Sequence, residues 1–418
     1  MTTLIRPPEV TTPIMRKLVN RIISAPSEGG QVLVIVALGL VSIMAMVGLV
    51  IDGGYAWGQQ RHTQNGADAM ALAGATTLAQ NLAGTYPAKT NGDVGCAVAA
   101  AASANGVAGP TAIYTDIVGN PLNPSVKVGD CAAGQGGLVP SAAAGVKATG
   151  HRTFNTFLAG VIGFDTMTAR ASASAVTGLL ASVCPADAGC GMLPVTFPQT
   201  AVICDSTNVQ QIQIGSPKWP IVQATDATKA NFATSANEVI VPLCTIGPGS
   251  VGWLDLDCGT LKQAVDGPCN NSIAIPSWLH TQTGNVNSLE DAINAYAGPV
   301  LGVADDTVLT IPLHDNTCVG QPADNDPTCQ PLGAEGSGQG NNFTYHVPKF
   351  VGFMLDRAYI SGSNKAMCNS GYGQPYVSGN GATGCFKGWF VREILQGPVV
   401  SGGTGPQDPG IIGIQLIR

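Results

Sequence analysis

Residues 31 to 51, QVLVIVALGLVSIMAMVGLVI, form an uncharged apolar run that stops at Asp52. Wound as a helix at about 1.5 Å per residue, the run matches the roughly 30 Å hydrocarbon core of a bilayer. One transmembrane helix is predicted. A cleaved secretory signal is the rival reading, but its apolar core is about 7 to 15 residues long and is followed closely by a small-x-small site. Here the best such sites, around Ala69, Ala71 and Ala73, lie far downstream, and Gly54-Tyr55-Ala56 is a poor one. Arg6, Arg16, Lys17 and Arg21 precede the run, and cationic flanks stay on the cytoplasmic side. The pattern predicts a single-pass protein with a cytoplasmic N-terminus and its C-terminal bulk outside.

The rest of the chain divides by texture. Residues 1–30 are polar, hold Pro7, Pro8, Pro13 and Pro26, and read as a mostly disordered leader, with Met15 to Ile23 as a brief basic helix. After the run, Tyr55 and Trp57 suit the aromatic belt of an interface, and the Ala-rich stretch from Ala67 to Leu82 favours helix. A continuous or lightly kinked helix from Gln31 to about Leu82 is expected, with Gly53-Gly54 as the place for any kink. A second small-residue helix is expected over 93–105. Strands are expected at 111–118, 125–128 and 145–150, a short helix or turn at 151–164, and a strand at 166–178. Beyond Ser182 short alternating runs separated by Cys, Pro and Gly predict a β-rich region. These runs fall at 192–197, 210–214, 238–243, 251–256, 306–311, 345–360, 388–395 and 410–417. Ser288 to Tyr296 is its clearest helix, capped by Asn287 or Ser288, and residues 331–342 read as a flexible loop.

Composition narrows the function classes. A net charge of −7 gives no basic footprint for phosphate contacts, so nucleic acid is not expected as a partner. All twelve cysteines (Cys96, Cys131, Cys184, Cys190, Cys204, Cys244, Cys258, Cys269, Cys318, Cys329, Cys368 and Cys385) follow the apolar run. An even number confined to the segment predicted to lie outside points to disulfides in an oxidising compartment. Zinc sites or a reactive thiol are the alternatives, but no CxxC pair occurs and the histidines show no ligand spacing. Connectivity is not fixed by sequence. A sequential scheme would join 96–131, 184–190, 204–244, 258–269, 318–329 and 368–385.

Residues 28–75, EGGQVLVIVALGLVSIMAMVGLVIDGGYAWGQQRHTQNGADAMALAGA, resemble the N-terminal module of TadE/TadG-like Flp pilus-assembly proteins. The positions that carry the likeness are Glu28, Gln31, Asp52, Gly53, Gly54, Arg61, Gln64, Asn65, Ala67, Asp68, Ala69, Ala71, Leu72, Ala73 and Gly74. The resemblance implies a non-enzymatic, membrane-anchored component of Tad pilus assembly, either minor pilin-like or an anchor for the machine, with the lipid bilayer and other Tad proteins as partners. One departure matters. Prepilins cut by a prepilin peptidase carry Glu five residues into the apolar run, and counting from Gly30 that position is Ile35. Retention as a membrane anchor is therefore favoured. Gly39, Ser42, Ala45 and Gly48 would let a second helix approach within the bilayer, although small residues are common in membrane helices anyway.

No catalytic, cofactor or metal site is expected. HExxH, GxSxG and Walker sequences are missing, and GxGxxG at 247–252 and 379–384 opens no predicted helix in a chain with 54 glycines. Asp324-Asn325-Asp326, aided by Asp315, offers hard oxygen donors for calcium, but lacks the EF-hand glycine and terminal glutamate. Asp255 and Asp257 read as an exposed strand face, and Asp205-Ser206-Thr207 does not complete a DxSxS pattern.

The fold class expected is α+β. A long transmembrane and stalk helix lies on a small pseudopilin-like sheet, followed by a β-rich, disulfide-stapled domain. The boundaries are 1–30 for the leader, 31–51 for the span, 52–178 for the stalk unit and 183–418 for the outer domain. The alternative function is a surface adhesin or carbohydrate-binding protein on the same anchor. A third reading, an extracytoplasmic hydrolase, would require a compact pocket of converging Asp or His side chains.

Overall fold

The computed structural model describes residues 29–83, 88–183, 192–202, 211–216, 219–223, 238–244, 252–256, 259–266, 273–282, 286–296, 308–319, 330–331, 343–362, 368, 382–401 and 410–417. The leader helix at 15–23, Asp205-Ser206-Thr207, the loop residues 332–342 and Asp324 to Asp326 fall outside them. The fold is α+β, and its contacts cluster into two units. One holds the residues up to Arg61 with Arg152–Ala169, and the other holds His62–His151 with Arg170–Arg418.

Helix α1 runs from Gly29 to Leu82 and passes through Gly53-Gly54 without a break in its hydrogen bonding. Between Val32 and Ile51 it carries apolar or small side chains on every face, and every position there but Gly48 is exposed. Among the described residues α1 is the one helix long and apolar enough to cross a membrane. The unit is completed by the ends of two strands and the turn between them, Ala159–Ile162, which is a single 3-10 turn.

In the second unit α1 changes character. Ala67, Ala71, Ala75 and Ala79 recur every fourth residue and are fully buried, with Met70 and Leu78 beside them. That spacing places them on one stripe of the helix. They form a core with Val94 and Val98 of α2 (Asn91–Ala104) and with Tyr114, Val146 and Ala148 of the first two strands. Those strands are β1 (Ala108–Thr115) and β2 (Gly145–Asn155), paired antiparallel. Helix α2 starts with a reciprocal cap: Asp93 N–H donates to Thr90 Oγ1 (3.3 Å), and Thr90 N–H donates to the Asp93 carboxylate (2.7 Å). The Cys96–Cys131 disulfide fastens α2 to the loop that follows β1.

The sheet continues from β2 to β3 (Thr166–Leu180), then to Ile412–Ile417 and Ile394–Gln396. Residues 151–155, expected in a short helix or turn, extend β2 instead, and only Ala159–Ile162 takes a helical turn. The β-favouring Thr153 and Phe154 fit that outcome. The run at 410–417, read from sequence with the outer region, forms a strand that pairs with β3 from Ile412↔Leu179 to Ile417↔Ser174.

Four longer strands build a second sheet: β4 (Val239–Cys244), β5 (Val308–His314), β6 (Lys349–Tyr359) and β7 (Ala382–Arg392). Strand β6 lies between β5 and β7, and β4 joins β7, all antiparallel. Strand β5 is buried at every position after Val308, as expected of a strand covered on both faces. Its core is aromatic, with the Phe197 ring edge-on to Phe353 at 5.2 Å and tilted against Phe386 at 5.5 Å. The segment expected as one helix over 288–296 is a 3-10 turn, Val286–Leu289, followed by a short α-helix, Glu290–Asn294. Neither Asn287 nor Ser288 caps it. Leu289 holds that position, and the Glu290 carboxylate instead accepts from the N–H groups of Ile360 (2.9 Å) and Ser361 (2.6 Å).

Cys368 is bonded to Cys385 of β7, Cys318 is also in a disulfide, and no cysteine among the described residues is free. The Cys96–Cys131 bridge spans 35 positions, so the loop-closure model assigns it about 4 kcal/mol. Replacing both residues by serine is expected to lower the unfolding free energy of the detergent-solubilised protein by roughly that amount. Urea titration checks this, and an unchanged midpoint contradicts it.

Candidate functional site

The residues singled out from the sequence fall into two structural groups along α1. Asp52, in the first unit, ends the apolar run. Its carboxylate accepts three backbone N–H groups: Phe157 to Oδ1 at 2.7 Å, and Leu158 and Ala159 to Oδ2 at 3.0 and 2.6 Å. An anion satisfied this way can be kept from water, because charge-assisted bonds replace its hydration. Asp52 is accordingly buried. Tyr55, one turn on, meets Phe154 and Phe157 edge-on at 5.4 and 5.5 Å. Four residues before Asp52, a Cβ on Gly48 would come within 3.0 Å of Leu158. The helix thus holds the 157–159 backbone with a carboxylate, the Phe157 ring with Tyr55 and the Leu158 side chain against a bare glycine. Arg61 folds its guanidinium over Trp57, 4.8 Å from the ring centroid. Gly53 has open space where a side chain would project.

The second group lies beyond His62. Gln64 Nε2 donates to Asp68 Oδ1 (2.9 Å), one turn along the helix, and to the Ser172 carbonyl of β3 (3.3 Å). Ala67 and Ala71 are buried in the core, Ala69, Leu72 and Ala73 are half-buried, and Asn65 is exposed. Gly74 lies against Val146, where a Cβ would meet three side-chain atoms at 3.0–3.1 Å. At Gly66 a Cβ would collide with Val107. The small residues therefore let the α1 backbone lie close against the sheet. Glu28 lies outside the described residues, and of Gln31 only the backbone is described, within α1.

A cluster of ionisable groups that the sequence reading missed sits on the second sheet. Asp356 is the extra residue of a β-bulge between Leu355 and Arg357. Lys387 is opposite both Arg357 and Ile240, and Glu238 directly precedes β4. Burial, then the charge and hydrogen bond of Asp356, push the Glu238 carboxyl up to about 7, while Lys387 pulls it down. Burial and the same aspartate raise Tyr359, whose ring lies 5.3 Å from the Lys387 ammonium. No sequence signal marks the cluster, because three separate strands bring its members together.

Two histidines fill other roles. His314 is enclosed, hydrogen-bonds through Nδ1 to Thr196 Oγ1 (3.0 Å) and packs tilted against the Tyr345 ring at 4.6 Å. Burial drives it down to about 3, so it is neutral at physiological pH. His346 Nδ1 meets Asp315 at 2.6 Å, with the Trp278 ring 5.0 Å away. Asp315, weighed above as a calcium ligand, is thus engaged with a histidine. Among the described residues no group of three or more His, Cys, Asp or Glu is arranged to hold a metal ion.

The Glu238 cluster carries a pH signature. Between the ordinary value of 4.5 and about 7, the folded chain keeps a proton that the unfolded chain has released. Stability from this group is therefore complete below about pH 4.5 and is lost as pH rises through 7. Urea midpoints measured from pH 5 to 8 should fall with pH, and Glu238→Gln should flatten the slope. An equal slope in the variant would assign the dependence elsewhere.

No curated protein and no solved structure matches the chain. The apolar half of α1, its Asp52 exit and its Ala/Gly stripe, residues 30–77, match the model of the Flp pilus-assembly TadE/G-like family. The chain carries a Tad-type module at its N-terminus.

Proposed function

We propose that this protein is a non-enzymatic, single-pass membrane component of Tad/Flp pilus assembly, acting as a minor pilin-like subunit or as an anchor for the assembly machine. The observation that carries this is the coincidence of three features within 30–77: the family match, a helix apolar on every face, and a small-residue stripe packed on a sheet. The basic residues Arg6, Arg16, Lys17 and Arg21 before the span favour a cytoplasmic N-terminus. Disulfides at Cys96–Cys131 and Cys368–Cys385, beyond the span, support an oxidising compartment for the bulk of the chain. Its partners are the bilayer and other Tad proteins, and its outer sheets supply contact surface rather than chemistry.

Deleting the gene and imaging the cell surface tests this reading. Loss of pili, restored by the full-length gene, is the expected result. Intact pili with impaired attachment would favour an adhesin on the same anchor, and intact pili with normal attachment would contradict the pilus role.

A further inference from the structure

The turn that Asp52 holds is apolar on its outer surface. Between Arg152 and Asp165 the chain has no charged residue. Phe157 and Phe164 are each 65% exposed, Val161 is 82% exposed, and Leu158 and Met167 exceed 40%. A soluble loop tip favours polar residues, so five large apolar side chains here need a reason.

Two further observations identify what covers them. First, the turn is fixed beside the span's end: Leu158 sits on Gly48, inside the apolar run, and its backbone is tied to Asp52. Its apolar surface is therefore continuous with that of the span, and the Phe154 and Phe157 rings pack on Tyr55 one turn past the point where the run stops. Aromatic rings favour that boundary between hydrocarbon and water. Second, six N–H groups of the turn are paired within the protein. The N–H groups of Phe157, Leu158 and Ala159 go to Asp52. Val161, Gly163 and Phe164 donate to Leu158, Gly160 and Ala159 carbonyls, and Thr156 Oγ1 donates to the Phe164 carbonyl. Satisfied backbone is the condition for entering a low-dielectric phase.

We infer that residues 156–164 form a second membrane contact, seated in the interfacial region of the leaflet at the C-terminal end of the span. Asp52 acts as the latch that fixes the turn to the helix. The wedge resists rotation of α1 about its axis in the bilayer, which a lone span does not. This rests on the membrane-anchoring reading above.

The test uses the full-length chain in phosphatidylcholine vesicles, with an environment-sensitive fluorescent amino acid placed singly at Met44, Val161 or Leu138. Leu138 is 82% exposed in the second unit and serves as the aqueous control. Lipids bearing a nitroxide high on the acyl chain should quench the Met44 and Val161 probes several-fold more than the Leu138 probe. Quenching at Met44, with the Val161 probe quenched no more than the Leu138 probe, would overturn the wedge and leave the anchor standing. Absence of lipid quenching at Met44 as well would overturn both. A Val161 probe shielded from aqueous iodide yet insensitive to the lipid quencher would show protein cover by another copy or a partner, and would also overturn the inference.

Discussion

Fifteen large apolar side chains between Val32 and Ile51 stand on a helix with almost nothing of the protein around them. At about 1.5–3 kcal/mol each, their removal from water is worth of order 20–45 kcal/mol. The net stability of a folded domain is only about 5–15 kcal/mol. Where this helix partitions thus outweighs any single contact in the rest of the molecule. The backbone adds its own condition, since in hydrocarbon only a fully hydrogen-bonded helix satisfies its N–H and C=O groups. An uninterrupted α1 from Gly29 to Leu82 meets that condition, Gly53-Gly54 included.

What happens at the end of the run follows from that demand. Asp52 is the first charge, and its carboxylate is neutralised in effect by three amide donors rather than by a lysine or arginine. Past His62 the same helix needs a partner of a different kind, and alanine at every fourth position with glycine at 66 and 74 provides a smooth face for the first sheet. Side chains on that face are short, so the helix and sheet gain by close approach and not by interdigitation of large groups. The outer sheet, with Phe197, Phe353, Phe386 and Phe390 in contact, uses the opposite strategy.

The helix was legible from sequence because its signal is local: apolar continuity to Ile51, then an Ala period. Helix α2 was legible for the same reason, and its Thr90–Asp93 cap fits a pattern readable in four residues. Residues 156–164 were ambiguous because TFLAGVIGF suits a short helix as well as a turn, and only the distant Asp52 decides between them. The pairing of Ile412–Ile417 with β3 was not legible at all, since alternation marks a strand but never names its neighbour. Glu238 and Asp356 meet for the same kind of reason, through two strand registers and a bulge that no short motif encodes. Disulfides stood between these extremes: Cys96 with Cys131 and Cys368 with Cys385 are consecutive cysteines, and short loops favour such pairs.

On this account α1 lodges in a bilayer and delivers the disulfide-bonded bulk to the far side. External protease applied to intact spheroplasts, followed by alkaline carbonate extraction of the membranes, measures both halves together. Digestion of the region beyond Asp52, with a short N-terminal fragment retained in the carbonate-washed pellet, is the predicted result. Full-length chain resisting external protease until the cells are lysed, or released by carbonate, would contradict it.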